Sequence, residues 1–372
     1  MPGFARLLRI VAICVVAPGV GPAVDEARID DWVRSHGGTL SRNPAGEIVA
    51  IDLNRSWVND IDLERIRGLR SLEVLGLAQT HITDSALAIV ESLPSLRELD
   101  LFFCEHVTDA GASQLRAAPG LEKLNVRGTK ISGSGVKFLT ELATLRSLDI
   151  GITEIDDPSI ELMEALPRLE SLAIGGNRIS EAGISSLRGL RQLRHLDLSG
   201  AQVTDSGIWA VVVTDLNLDE IGSLPGLESL NLSAPSPDYV DAVSSGVPRL
   251  RGAIRVTDFG ASQLARLESL RRLNLSRSYL TAAGIGKLHG LERLEELVLA
   301  NAKSIGDDVG RALAGLVSLK TLDVSFTSFG DRALAALRDH PKLGRLVAAG
   351  TPLSEEAVAD FVQSRPGRSV IR

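Results

Sequence analysis

The sequence predicts an α/β solenoid, a right-handed horseshoe or arc of 12–13 strand–turn–helix units with a parallel concave sheet and convex helices. Three observations predict it. The pattern Leu/Ile-x-x-Leu-x-Leu opens at Ile48, Leu72, Leu96, Leu121, Leu145, Leu169, Leu193, Leu227, Leu270, Leu294, Leu319 and Leu343, and nine of the eleven steps are 24 or 25 residues, a repeat period. Pro94, Pro119, Pro167, Pro225 and Pro341 each stand two residues before an opening leucine, where a helix must stop and a strand begin. Aromatic residues make up only 3% beside 44% hydrophobic, which suits thin layers filled by aliphatic side chains.

The elements follow in chain order. Arg6 and Arg9 precede the apolar run Ile10 to Val16, and Gly21-Pro22-Ala23 puts small residues at −3 and −1 of a cut, the order of a secretory signal. Residues 1–23 are therefore expected as a cleaved signal peptide and the protein as exported: periplasmic, cell-surface or secreted. The run is broken by Pro18 and too short to span a bilayer, which takes about 20 apolar residues. An uncleaved N-terminal anchor is the alternative, and a lipid-modified Cys14 is disfavoured by the bulk of Ile13. Residues 24–47 read as an N-terminal cap: an amphipathic helix from Ala27 to His36 with Ile29, Trp32 and Val33 on one side, then a turn at Asn43-Pro44.

Within the solenoid, expected over 48–361, each unit reads alike. In Leu121-Glu-Lys-Leu124-Asn-Val126 the period-two alternation makes a short strand with Leu124 and Val126 inward. A turn and one more inward aliphatic follow, as at Ile82, Ile131 and Ile179. A helix start comes next, as in Thr83-Asp84, Thr108-Asp109 and Thr257-Asp258, where the hydroxyl caps orphan N–H groups and the acid complements the helix dipole. A small residue three places after the cap, such as Gly111, Gly135 or Gly183, is expected to let the helix approach the strand layer.

The pattern breaks in the zone 203–258. Val203-Thr-Asp recurs as Val213-Thr214-Asp215, so ten extra residues lie between strand and helix. Residues 234–255 are either a loop excursion or a degenerate unit opened by Leu250, and Pro248 tilts the reading toward the degenerate unit, thirteen units in all. Long departures of this kind are often functional, and decay of a duplicated repeat explains them equally well. Residues 362–372 are expected as a C-terminal tail.

A net charge of −7 supplies no basic stripe, so nucleic acid is not an expected partner. With Cys14 in the leader, the mature chain keeps one thiol, Cys104, and no internal disulfide. The mature chain has no membrane span, and its oligomeric state is not fixed by the sequence.

These units resemble the leucine-rich-repeat superfamily. Leu-x-x-Leu-Asp-Leu followed by Thr-x-Ile-Thr-Asp-x-Gly/Ala is similar to its cysteine-containing subclass, found in F-box-type and bacterial exported proteins. The resemblance covers about residues 46 to 361 and implies the arc and ligand binding in general. Residues 24 to 46 are too few for the F-box that such a resemblance would bring.

Candidate binding residues lie on the concave side. One outward column runs Asp52, Gly76, Asp100, Asn125, Asp149, Ala173, Asp197, Asn231, Asn274, Val298, Asp323 and Val347, a site for cations or a basic partner, or simply the repeat's preferred strand residue. Phe102 and Phe103 share a strand end, with Arg127 and Gly128 as counterparts in the next unit, and aromatic and Arg side chains are the usual anchors of interfaces. One Phe tucked between layers is the competing reading. Tyr239, in the excursion, is expected as a second rim contact. His81, Cys104 and His106 lack metal-ligand spacing, Cys104 filling a turn position held elsewhere by Thr80, Thr129, Thr153 and Asn177. No phosphate loop, nucleophile elbow or acid–histidine pairing is present, so no catalytic residue, metal or cofactor is expected. The leading reading is a non-enzymatic protein-binding scaffold; the alternative is a substrate-reading adaptor resembling F-box-type ubiquitin ligase subunits, without the F-box.

Overall fold

The computed structural model describes residues 26–204, 207–235 and 254–372. The leader expected over 1–23 and Tyr239 lie outside the described residues. The chain opens with helix α1 (Glu26–Ser35), whose Ile29, Trp32 and Val33 are buried, and hairpin strands β1 (Thr39–Arg42) and β2 (Ile48–Asp52). Parallel strands then follow one per unit: β3 (Val74–Gly76), β4 (Glu98–Asp100), β5 (Lys123–Asn125), β6 (Ser147–Asp149), β7 (Ser171–Ala173) and β8 (His195–Asp197). Opening leucines and both inward strand positions are buried in each unit, because a three-residue strand alternates faces and only one face meets the core.

The irregular zone resolves into two insertions. After β8 comes an antiparallel pair, β9 (Ala201–Thr204) with β10 (Gly207–Ala210), and then β11 (Val213–Thr214), which leads into the unit's helix Leu218–Gly222. The second copy of the repeated Val-Thr-Asp thus lies just ahead of the helix, whose N-cap is Asn217. Strand β12 (Ser229–Asn231) lies beside β8, and after β13 (Ile254–Arg255) the next strand of the main sheet is β14 (Arg272–Asn274), which pairs directly with β12. No place is left in the main sheet between β12 and β14 for a strand opened at Leu250, so the thirteen-unit reading is corrected: the twelve repeat openings from Ile48 to Leu343 each give one strand of this sheet, twelve units, and the second departure is an excursion between β12 and its helix Asp258–Leu264. Pro248 misled because one residue type at one register does not supply the inward aliphatics that a layer needs. Asp215 accepts from the Thr257 backbone N–H at 2.9 Å, which stitches the two irregular units together across the excursion.

The stack continues through β15 (Glu296–Val298), β16 (Thr321–Asp323) and β17 (Arg345–Val347). The stretch expected as a tail carries β18 (Ser369–Ile371), parallel to β17 and the last of fourteen strands in the sheet. Arg368 locks this end. Its guanidinium lies 4.3 Å over the Phe361 ring and donates to the carbonyls of Leu343, Arg338 and His340.

The convex side is made of short pieces, six- and seven-residue helices such as Asp109–Gln114 and Gly133–Leu139, often ending in a 3-10 turn. Their starts are tied from unit to unit. Asp84 accepts from the Thr108 N–H and hydroxyl, both at 2.7 Å, and from the Gly111 N–H at 2.9 Å. Asp60 with Thr83, Asp109 with Ser132 and Asp258 with Thr281 repeat the arrangement. The small residue after the cap serves this ladder. A Cβ on Gly111 would stand 2.5 Å from Asp84 Oδ1, and Gly135, Gly183, Gly260 and Gly284 meet the previous unit's Asp in the same way. The expectation that it lets the helix approach the strand layer is corrected accordingly.

Candidate functional site

The outward Asp/Asn column is first of all a strand terminator. Asp52, Asp100, Asn125, Asp149, Asp197, Asn231, Asn274 and Asp323 each accept, through Oδ1, the backbone N–H two residues on. That side chain–backbone turn closes the strand and explains the residue preference. Where Gly76 occupies the column, Asn54 of the preceding unit lies over it and accepts from the Ala78 N–H at 2.7 Å.

Three residues beyond the column, most strand exits pass through a single left-handed residue. Arg55, Gln79, Phe103, Ile152, Arg277, Asn301 and Phe326 have φ between 49 and 62°, and Gly128, Gly176, Gly200 and Gly350 fill the same register. At three places a large residue precedes a glycine of the next unit. The Phe103 side chain covers Gly128, Ile152 covers Gly176, and Phe326 covers Gly350, so that a Cβ on any of these glycines would clash with the preceding unit.

Phe102 and Phe103 are both half-buried, with ring centroids 4.6 Å apart in an edge-to-face pair. Phe103 is the one committed to packing between units. Phe102 lines a hollow of ≈ 420 Å³ at the N-terminal end of the concave face, with Gly38, Asn54, Arg55 and Gln79. This hollow meets a trough of ≈ 510 Å³ running from β1 to β6, and the two share Thr39, Asp52, Asn54 and Asp100. Arg127 is set apart from Phe102: its Nη1 lies 3.6 Å from Asp149 Oδ1 and its guanidinium rests on Gly151. Burial pushes the Asp100 carboxyl above the usual range, opposed by the Phe102 N–H and reinforced by Asp52 across Gly76. Burial raises Asp149 as well, against the pull of the Gly151 N–H and Arg127 and with the help of Asp197.

Cys104 is fully buried, its Sγ donating to the Leu77 carbonyl at 3.1 Å in line with Thr80, Thr129 and Thr153, whose hydroxyls bond carbonyls of their own turns. Burial pushes its thiol up, away from reactivity. Among the described residues, no group of three or more His, Cys, Asp or Glu side chains is placed to hold a metal. No described helix is long and apolar enough to cross a membrane.

One feature of this face is missed when the sequence is read one unit at a time. The residue just before each strand alternates in sign through ten successive units: Glu73, Arg97, Glu122, Arg146, Glu170, Arg194, Glu228, Arg271, Glu295, Lys320. Arg97 pairs with Glu122, Arg146 with Glu170 at 2.6 Å, Arg194 with Glu228 at 2.5 Å, and Glu295 with both Arg271 at 3.0 Å and Lys320 at 2.9 Å. The acids of the neighbouring column, Asp52, Asp100, Asp149, Asp197 and Asp323, fall only in the odd units, and all but the first of those units carry Arg97, Arg146, Arg194 and Lys320. A search for one-unit periodicity averages this out; tabulating charge by register finds it.

Parallel strands one per 24-residue unit, inter-unit ladders and a convex layer of short helices define a leucine-rich-repeat solenoid. Leucine-rich-repeat family models match residues 257–329, 92–115 and 190–211. A curated relative, ATP synthase subunit s, mitochondrial, from Rattus norvegicus, is 33% identical over 101 residues, 26% of this chain; the match spans about half, 49%, of that protein. Among solved structures, an internalin (inlF) from Listeria monocytogenes shares the fold with a TM-score of 0.55 at 17% identity, covering 92% of each chain. TLR13, in a complex with ssRNA13, aligns with a TM-score of 0.51 at 21% identity over 87% of this chain and 44% of its own.

Proposed function

We propose that the protein is an exported, non-enzymatic scaffold that binds a protein partner on the N-terminal half of its concave face. The observation that carries this is the junction at Asp52, Asn54 and Asp100, where the hollow lined by Phe102 opens into the trough bordered by Asn125 and Asp149. An aromatic wall beside acidic side chains on rigid strands suits a partner presenting an apolar residue flanked by Lys or Arg, at little ordering cost to the scaffold. Arg127 belongs to the same proposed surface as an outer contact, while Phe103 supports it from beneath. Export rests on the leader of residues 1–23. The ligase-adaptor alternative has no separate observation in its favour. The RNA named with the TLR13 neighbour is not carried over, because a chain of net charge −7 lacks the cationic stripe that phosphate backbones need.

The test begins with a partner captured by proximity labelling of the exported chain. Phe102→Ala should weaken that partner by at least about tenfold, the usual cost of a buried aromatic anchor, with an unchanged melting curve. Unchanged affinity, or weakening only in step with unfolding, would remove Phe102 from the surface.

A further inference from the structure

The margin where the chain enters β7, β8, β12 and β14 holds a hollow of ≈ 300 Å³, apart from the concave trough. Arg191, Arg194, Arg271 and Arg293 border it against Glu170 and Glu228. These charges cancel only in part inside the hollow. Glu170 is held by Arg146, which lies outside, at 2.6 Å, and Glu228 by Arg194 at 2.5 Å. Arg271 lies 4.0 Å from Glu228 and pairs more closely, at 3.0 Å, with Glu295 outside the hollow. Arg191 and Arg293 make no side-chain ion pair or hydrogen bond among the described residues.

The hollow exists because two adjacent units place Gly226 and Ser269 at the register where their neighbours carry Gln192 and Arg293. Above Gly226 the space is open: a Cβ there would meet nothing nearer than the Leu193 carbonyl oxygen at 3.5 Å. Two unneutralised guanidinium groups bordering such a hollow make it locally positive on an acidic chain. Each guanidinium is a planar fork that matches a pair of oxygens. A tetrahedral oxyanion has more oxygens to divide between two such forks than a carboxylate does.

We propose that this hollow is an anion subsite that takes a tetrahedral oxyanion, a phosphate or sulfate group, between Arg191 and Arg293. The group arrives as the free ion or as a monoester on a peptide, and both present the same oxygens. Calorimetric titration of the full chain at low ionic strength with sodium phosphate, sodium sulfate and a phosphotyrosine peptide tests it. At least one of the three should bind saturably, the inorganic ions indicating a free anion and the peptide alone an esterified one. Arg191→Ala with Arg293→Ala should weaken that binding by at least about tenfold. Gly226→Glu should do the same by filling the hollow with a carboxylate, while melting as the wild type does because its Cβ has room. The pair Arg332→Ala with Arg345→Ala, remote in sequence and equal in charge, should leave binding intact. Absence of saturable binding by all three probes, binding that survives both hollow variants, or equal weakening by the remote pair would overturn the proposal.

Discussion

Buried His340 is held as a neutral imidazole by its surroundings. Its Nε2–H donates to the Leu316 carbonyl at 3.0 Å, while Nδ1 accepts the N–H groups of Leu343 at 3.0 Å and Lys342 at 3.3 Å. A proton on Nδ1 would set donor against donor. Burial lowers the His340 pKa from its ordinary 6.5, the Arg368 and Arg365 charges lower it further, and the Leu316 carbonyl opposes them. The unfolded chain therefore binds the extra proton first. The stability contributed by neutral His340 is complete above about pH 6.5 and is lost as the pH falls below that toward the folded value. Urea melts between about pH 7.5 and 5 should show the wild type losing more of its midpoint than His340→Gln. Identical pH profiles for the two would mean that this imidazole does not govern the acid response.

At the scale of the element, an Asp that follows a helix cap, such as Asp84, Asp109 or Asp258, belongs energetically to the next unit. Asp84 satisfies three donors of the unit after it, and the glycine that receives it leaves room for its carboxylate. Asp84→Ala should cost about 2–3 kcal/mol, since it orphans donors at a half-buried helix start. Gly111→Ala should cost about 1–3 kcal/mol by overpacking. The two losses should not add: with the carboxylate gone, the new methyl meets chiefly the flexible end of Leu87, so the double variant should be more stable than the sum of single losses implies. Additive losses in a denaturation cycle would show that the glycine serves some other contact.

Across the middle of the molecule, the alternating ladder, the odd-unit acids and the Phe103–Gly128 and Ile152–Gly176 pairs keep the same phase, so that there two units form one electrostatic and packing module. Deleting residues 121–168 removes two units and sets Arg97 beside Glu170, Asp100 beside Ala173 and Phe103 over Gly176. Deleting 145–168 alone sets Glu122 beside Glu170 and faces Gly128 with Gly176. The larger deletion should therefore melt at the higher temperature. Part of the gap should close in high salt, because exposed ion pairs contribute about 0.2–1 kcal/mol each and are screened. A one-unit deletion as stable as the two-unit deletion would reduce the alternation to decoration.

The sequence by itself determined the repeat, its register, the buried aliphatic columns and the Thr or Ser cap at helix starts such as Thr83, Thr108 and Thr257, because these depend on neighbours within one unit and recur often enough to be read from spacing. Only the tertiary structure decided what depends on the adjacent unit. The Asp of Thr-Asp reaches one unit onward, the following glycine makes room for it, and Phe102 and Phe103, identical in type and adjacent in sequence, part company because one exits the strand through a left-handed backbone over Gly128. The excursion before Ile254 was ambiguous for the same reason: the direct pairing of Asn231 with Asn274, a contact between units that no spacing within a unit encodes, leaves no strand of the main sheet between them.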